Sequence, residues 1–186
     1  MIGLLVAILT LMPPSSFIVD ANAEAEFPVQ QSEAAVRLML NDIYLLRRTM
    51  PGVVAITPAG DGQWVYRTER RMPFSEPVKT DFSLVRSSHH ALTYATPEVT
   101  APNWMSLRFE TAPVEENRTL LKVRVRVRLE RENGADIHVF APVLGEGFIS
   151  DRMRDDLQEM LHAFAVSVTK ELETSPEVMS VKGGQR

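Results

Sequence analysis

Apolar and polar positions alternate along most of the chain, and the period changes near its end. Val78 to Val85 sets Val78, Thr80, Phe82 and Leu84 against Lys79, Asp81 and Ser83. Asn103 to Thr111 sets Met105, Leu107 and Phe109 against Ser106, Arg108 and Glu110. Leu120 to Glu130 is the most regular, with Leu121, Val123, Val125, Val127 and Leu129 opposing Lys122, Arg124, Arg126 and Arg128. Period two predicts antiparallel strands with one dry face and one wet face. Gln63 to Arg71, Ala91 to Ala95 and Val53 to Thr57 read as further strands, the last followed by a Pro-Ala-Gly-Asp-Gly turn. From Phe148 to Leu172 the spacing becomes three and four. Ile149, Met153, Leu157, Met160, Leu161, Phe164, Ala165, Val168 and Leu172 then form one stripe of a long α-helix, with Ser150 placed to cap it.

Before the strands, Glu24 to Gln30 reads as a short extended segment, Pro28 suiting an edge strand. Two short helices follow. Ser32 caps one with an apolar face of Ala35, Val36, Met39 and Leu40, and Asp42 caps the next, which ends at Met50-Pro51-Gly52. The order is one strand, two short helices, six strands and a long helix. That is an α+β chain in which a curved antiparallel sheet of about seven strands grips the C-terminal helix.

The strings EFPVQQSEAAVRLMLND at Glu26 to Asp42, MPGV at Met50 to Val53, LLKVRVRVRLE and FISDRMRDDLQEMLHAFAVSV carry a resemblance. They resemble the START-like (helix-grip, SRPBCC) superfamily, within it the polyketide cyclase/dehydrase and lipid-transport group that includes carbon-monoxide-dehydrogenase-subunit-G-like proteins. The resemblance covers about Glu24 to Glu173 and implies a deep cavity between sheet and helix that holds a hydrophobic molecule. Its members range from carriers to ring-closing enzymes, and a fold does not choose among them.

The inward faces supply the candidate ligand-binding residues. They are Trp64, Tyr66, Phe82, Tyr94, Met105, Leu107 and Phe109 from the strands, and Met153, Met160 and Phe164 from the helix. Such aromatic and Met surface suits a small-molecule pocket, and a buried phenol needs a partner. The competing reading is a solid core. Ile137, Val139, Phe140, Val143 and Leu144 are apolar for a connector and read either as a lid or as a strand end packed on the helix.

The 186 residues carry a net charge of −4, which disfavours a general nucleic-acid binder. The row Lys122, Arg124, Arg126, Arg128 reads as a solvated face offset by neighbours such as Glu110 and Glu69, with anionic headgroups as the competing partner. With no cysteine there is no disulfide or thiolate nucleophile. His89 and His90 are adjacent and chelate one metal poorly, and no metal or other cofactor is expected. No catalytic residue set is recognisable either.

Ile2 to Met12 is an apolar run too short to span a bilayer, and Ala21-Asn22-Ala23 fits a signal-peptidase site. Residues 1–23 therefore read as a signal peptide, 24–174 as the ligand-binding domain and 175–186 as a disordered tail. Export to a periplasmic or extracellular space follows if the leader is genuine; otherwise the chain is cytoplasmic. The expected function is binding or carriage of a lipid or other hydrophobic small molecule, with possible peripheral membrane contact. The alternatives are a cyclase/dehydrase-type enzyme using the same cavity and a protein-binding scaffold.

Overall fold

The structure is a computed structural model and describes residues 16–70, 77–88 and 91–174. The expected tail, the pair His89-His90 and the apolar run 2–12 lie outside the described residues.

The elements follow the expected order. β1 (Phe17–Val29) leads to α1 (Glu33–Leu40) and α2 (Ile43–Thr49). The strands β2 (Val53–Gly60), β3 (Gln63–Arg70), β4 (Val78–Ser87), β5 (Leu92–Ala95), β6 (Asn103–Glu115) and β7 (Arg118–Arg131) come next, then α3 (Ala141–Thr174). All pairings are antiparallel, in the order β1-β7-β6-β5-β4-β3-β2. The result is a meander from β2 to β7, with β1 returning beside β7. The arrangement is the helix-grip α+β fold.

Local chemistry explains the helix boundaries. The Ser32 hydroxyl accepts from the Ala35 N–H, and the Asp42 carboxylate accepts from the Tyr44 N–H at 3.0 Å. Both caps satisfy donors that a first turn leaves unpaired. After Met50-Pro51 the chain reverses at Gly52, where φ is +80° and the Gly52 carbonyl accepts from the Glu69 N–H at 2.8 Å. The left-handed backbone there favours glycine.

Two boundaries differ from the sequence reading. β1 begins at Phe17, seven residues before Glu24, and pairs in register with β7 from Phe17 opposite Arg131 to Val29 opposite Thr119. Ala21 and Ala23, part of the expected cleavage site, are buried inward positions of this strand, while Asp20 and Asn22 alternate with them on the other face. Small inward residues let α3 lie close along β1, its most extensive neighbour. α3 likewise begins earlier, at Ala141, with a break at Gly145 (φ +82°). Ser150 is therefore not its cap. Its hydroxyl accepts from the Asp20 N–H at 3.3 Å, Glu146 accepts from the Ile18 N–H at 2.8 Å, and the Gln158 amide donates to the Glu24 carbonyl at 3.2 Å.

The core fills the space between the inner sheet face, α1, α2 and the stripe of α3. Leu161, Phe164 and Val168 are fully buried, as are Leu107, Leu121 and Val123 opposite. On the outer face the basic row is neutralised mainly by β1. Lys122 and Arg124 each pair with Glu24 at 2.6 Å, holding its carboxyl below the ordinary range, and Arg126 pairs with Asp20 at 2.7 Å. Glu110 contributes as expected, at 3.2 Å from Arg124, whereas Glu69 instead approaches Lys79. Arg70, at the end of β3, pairs with Asp156 of α3, which also meets Arg152 at 3.2 Å; Asp156 thus ties α3 to β3.

Candidate functional site

The candidate residues come together on the inside of the grip. Alternation on β3, β5 and β6 aims Trp64, Tyr94 and Phe109 inward, and the α3 stripe brings Phe164 down onto them. Trp64 meets Tyr94 edge-on at 6.3 Å between ring centroids, Tyr94 meets Phe109 at 6.4 Å, and Phe109 meets Phe164 at 6.1 Å. Phe27 of β1 extends the row, 6.4 Å from Phe164. Each such contact adds about 0.5–1.5 kcal/mol beyond area burial. Five rings therefore form one continuous path from β3 to β1.

The phenols are committed to structure. The Tyr94 hydroxyl lies 3.0 Å from the Leu40 carbonyl and 3.1 Å from that of Asn41, so it donates to the C-terminal end of α1. Tyr66 donates to the Met50 sulfur at 3.4 Å. Burial pushes the Tyr94 hydroxyl up to about 12, with Asp42 adding to the rise and Arg86 opposing it. Burial alone pushes Tyr66 further up. Both are neutral donors at physiological pH, because desolvation penalises the phenolate. No carboxylate or imidazole is hydrogen-bonded to either hydroxyl among the described residues.

Eight of the ten candidates are buried: Tyr66, Phe82, Tyr94, Met105, Leu107, Phe109, Met153 and Phe164. Trp64 and Met160 are partly buried against the same core. The candidate residues are thus packed into the core between sheet and helix. A cleft of about 160 Å³ opens instead beside α1, between it and β5–β6. That is smaller than the roughly 300–1,000 Å³ of a typical small-molecule pocket. Phe109 is the candidate residue that reaches it.

The other residues of this cleft were not singled out in the sequence. Leu40, Ala91 and Leu92 supply apolar wall, while Arg37, Asn41 and Thr111 supply a polar rim. The rim is ordered: Arg37 donates to the Thr111 hydroxyl at 2.9 Å, Thr111 donates to Glu33 at 2.8 Å, and Arg37 pairs with Glu33 at 2.8 Å. No motif marks them, because three elements contribute one or two residues each. The available hint was Arg37 at the end of a short amphipathic helix. Among the described residues no group of three or more His, Cys, Asp or Glu side chains could hold a metal ion.

The fold is shared with solved structures of low sequence identity. A START superfamily protein from Mycobacterium smegmatis is 14% identical, with a TM-score of 0.59 over 82% of this chain and 97% of that one. The Zhui aromatase/cyclase from Streptomyces sp. R1128 is 19% identical, with a TM-score of 0.53 over 83% and 94%. A conserved protein from Geobacillus kaustophilus is 12% identical, with a TM-score of 0.56 over 83% and 96%. No family model and no curated protein matches the sequence. These likenesses show the helix-grip fold. The finer resemblance to carbon-monoxide-dehydrogenase-subunit-G-like proteins rests on the sequence strings alone.

Proposed function

We propose that this helix-grip chain binds a hydrophobic small molecule with one polar end, reached through the cleft beside α1, and does not transform it. The observation that carries the reading is the position of Phe109. It lines the cleft and also touches Tyr94 and Phe164, so the open space leads directly onto the aromatic row. The polar end of the ligand would meet the rim at Arg37 and Asn41, and the apolar part would displace flexible Met and aromatic side chains behind Phe109. Binding without turnover follows from the phenols. Each spends its proton on a main-chain carbonyl or a thioether, and general acid–base catalysis needs a group within reach of a reacting atom.

The test is titration of the full chain with oleate, read by displacement of an environment-sensitive dye. Saturable binding at roughly micromolar Kd, about −8 kcal/mol, is expected. Leu92→Trp, which fills the cleft from a partly buried position, should weaken binding at least about tenfold, or about 1.4 kcal/mol. Absence of saturable binding, or unchanged affinity in a folded Leu92→Trp variant, refutes the assignment.

A further inference from the structure

The charges around the cleft beside α1 are already balanced. Among the described residues, Arg37 and Glu110 are the charged side chains that line it. Arg37 pairs with Glu33 at 2.8 Å, one turn back on the same helix, and its Nε donates to the Thr111 hydroxyl at 2.9 Å. Thr111 in turn donates to the same Glu33 oxygen at 2.8 Å. Carboxylate, guanidinium and hydroxyl thus close a ring from α1 to β6 at the mouth. Glu110 is held by neighbours on β6 and β7: Arg108 Nε donates to it at 2.8 Å and Arg124 Nη1 at 3.2 Å.

An incoming charge finds no vacant partner here. A carboxylate could pair with Arg37 only by displacing Glu33, and it would then share one rim with two other carboxylates. An ammonium would have to draw Glu33 from Arg37, or Glu110 from Arg108 and Arg124. In either case the apolar wall of Leu40, Leu92 and Phe109 strips water from the head, and no uncompensated opposite charge replaces it. An uncharged head displaces nothing. Arg37 Nη1 carries donors with no partner among the described residues. The Asn41 amide nitrogen donates to the Arg37 carbonyl at 3.0 Å, which leaves the amide oxygen to accept. A donor and an acceptor one turn apart on α1 suit a hydroxyl or a primary amide, since each of these both gives and takes a hydrogen bond.

We infer, resting on the ligand-binding reading of this cleft, that the polar end of the bound molecule is an uncharged hydroxyl or amide, and that Glu33 sets the preference by neutralising Arg37. Glu33 is a specificity-determining residue acting through Arg37. The Arg37 side chain is 63% exposed, so water screens part of the penalty on a charged head and the discrimination is modest.

The deciding experiment titrates the full chain with oleate and with oleyl alcohol, each below its aggregation limit, at pH 8, where imidazoles are neutral. The alcohol should bind at least about tenfold more tightly, or about 1.4 kcal/mol. Oleyl alcohol is also the more apolar molecule, so the ratio of the two affinities is followed into charge variants. Glu33→Gln keeps an acceptor for Thr111 and Arg37 but uncovers the guanidinium charge. It should move the ratio at least about tenfold towards oleate, whereas a merely structural Glu33 would alter both affinities alike. The double variant Glu33→Gln, Arg37→Gln removes both charges and should return the ratio to that of the parent. A parent that binds oleate as tightly as the alcohol overturns the inference and leaves the cleft assignment standing. So does a ratio unmoved in folded Glu33→Gln, or one that stays shifted in the double variant. Absence of saturable binding by either molecule overturns the cleft assignment itself, and the inference with it.

Discussion

The two ends of α3 use the same kinds of side chain to opposite effect. Towards its C-terminus, Leu161, Phe164, Val168 and Leu172 follow the helical stripe and are buried against the sheet. Towards its N-terminus, Phe140, Val143 and Phe148 are exposed, although Ala141 and Ile149 on either side are buried. Residue type does not separate the two regions. What separates them is phase: an apolar residue in step with the stripe belongs to the core, and a large one out of step needs another partner. Val166, exposed and alone, shows that a single exception carries no such message.

The strongest way to break this comparison is to attack the buried end. Leu161→Asp places an unpaired charge where no water reaches and should abolish folding, as read by loss of the cooperative thermal transition. Phe164→Ala removes the ring shared by Phe27 and Phe109 and should cost about 3–5 kcal/mol in denaturant titration. A parent-like melting temperature for Leu161→Asp would mean that the stripe is misassigned.

A smaller effect is expected at Tyr94, which joins the aromatic row to α1. Tyr94→Phe leaves the Leu40 and Asn41 carbonyls without their donor and should cost about 0.5–1.5 kcal/mol. It should also change the alkaline limb of stability. The folded phenol keeps its proton to about 12, whereas the ordinary phenol releases it near 10. Between those values the unfolded chain binds fewer protons, so the contribution is complete below pH 10 and is lost as pH rises towards 12. Melting temperature followed over that interval should fall less steeply in Tyr94→Phe than in the parent.

The smallest effects sharpen the comparison from the exposed side. Val143→Ser and Arg126→Ala should each shift stability by no more than about 0.5 kcal/mol. Arg126 is an exposed partner of Asp20 that also lies over the Trp104 ring at 5.8 Å, and exposed ion pairs contribute little. A loss of several kcal/mol at Val143 would place that side chain in the core after all.

Much of the architecture was legible because alternation and helical spacing are local properties. The strands from Val78 to Glu130, the caps at Ser32 and Asp42, and the stripe from Ile149 to Leu172 each follow from side chains within a few residues. The misread boundaries came from ambiguous local signals. Ala21-Asn22-Ala23 satisfies a cleavage pattern and a strand with small inward residues equally well. The strand places Asp20 beside Arg126 as its ion-pair partner, a contact between residues far apart in the chain. Pro142, Gly145 and Gly147 resemble loop punctuation, which hid the first turn of α3. The cleft was illegible for a different reason. Arg37, Leu92 and Thr111 are distant in sequence, and only the closure of α1 over β5 and β6 makes them neighbours. The aromatic and Met residues were correctly placed inward, but the size of the gap between them depends on packing that no periodicity records.

The contacts from α3 to the outer margin of β1 have a consequence for assembly. An outermost strand presents unpaired main-chain groups that can recruit a strand from another molecule. Here the Ile18 and Asp20 donors and the Glu24 acceptor are already taken by Glu146, Ser150 and Gln158. The helix therefore blocks that stretch of the margin with side chains while gripping the sheet with its stripe. Strand addition, whether from a second copy or from an extended peptide, is disfavoured along it.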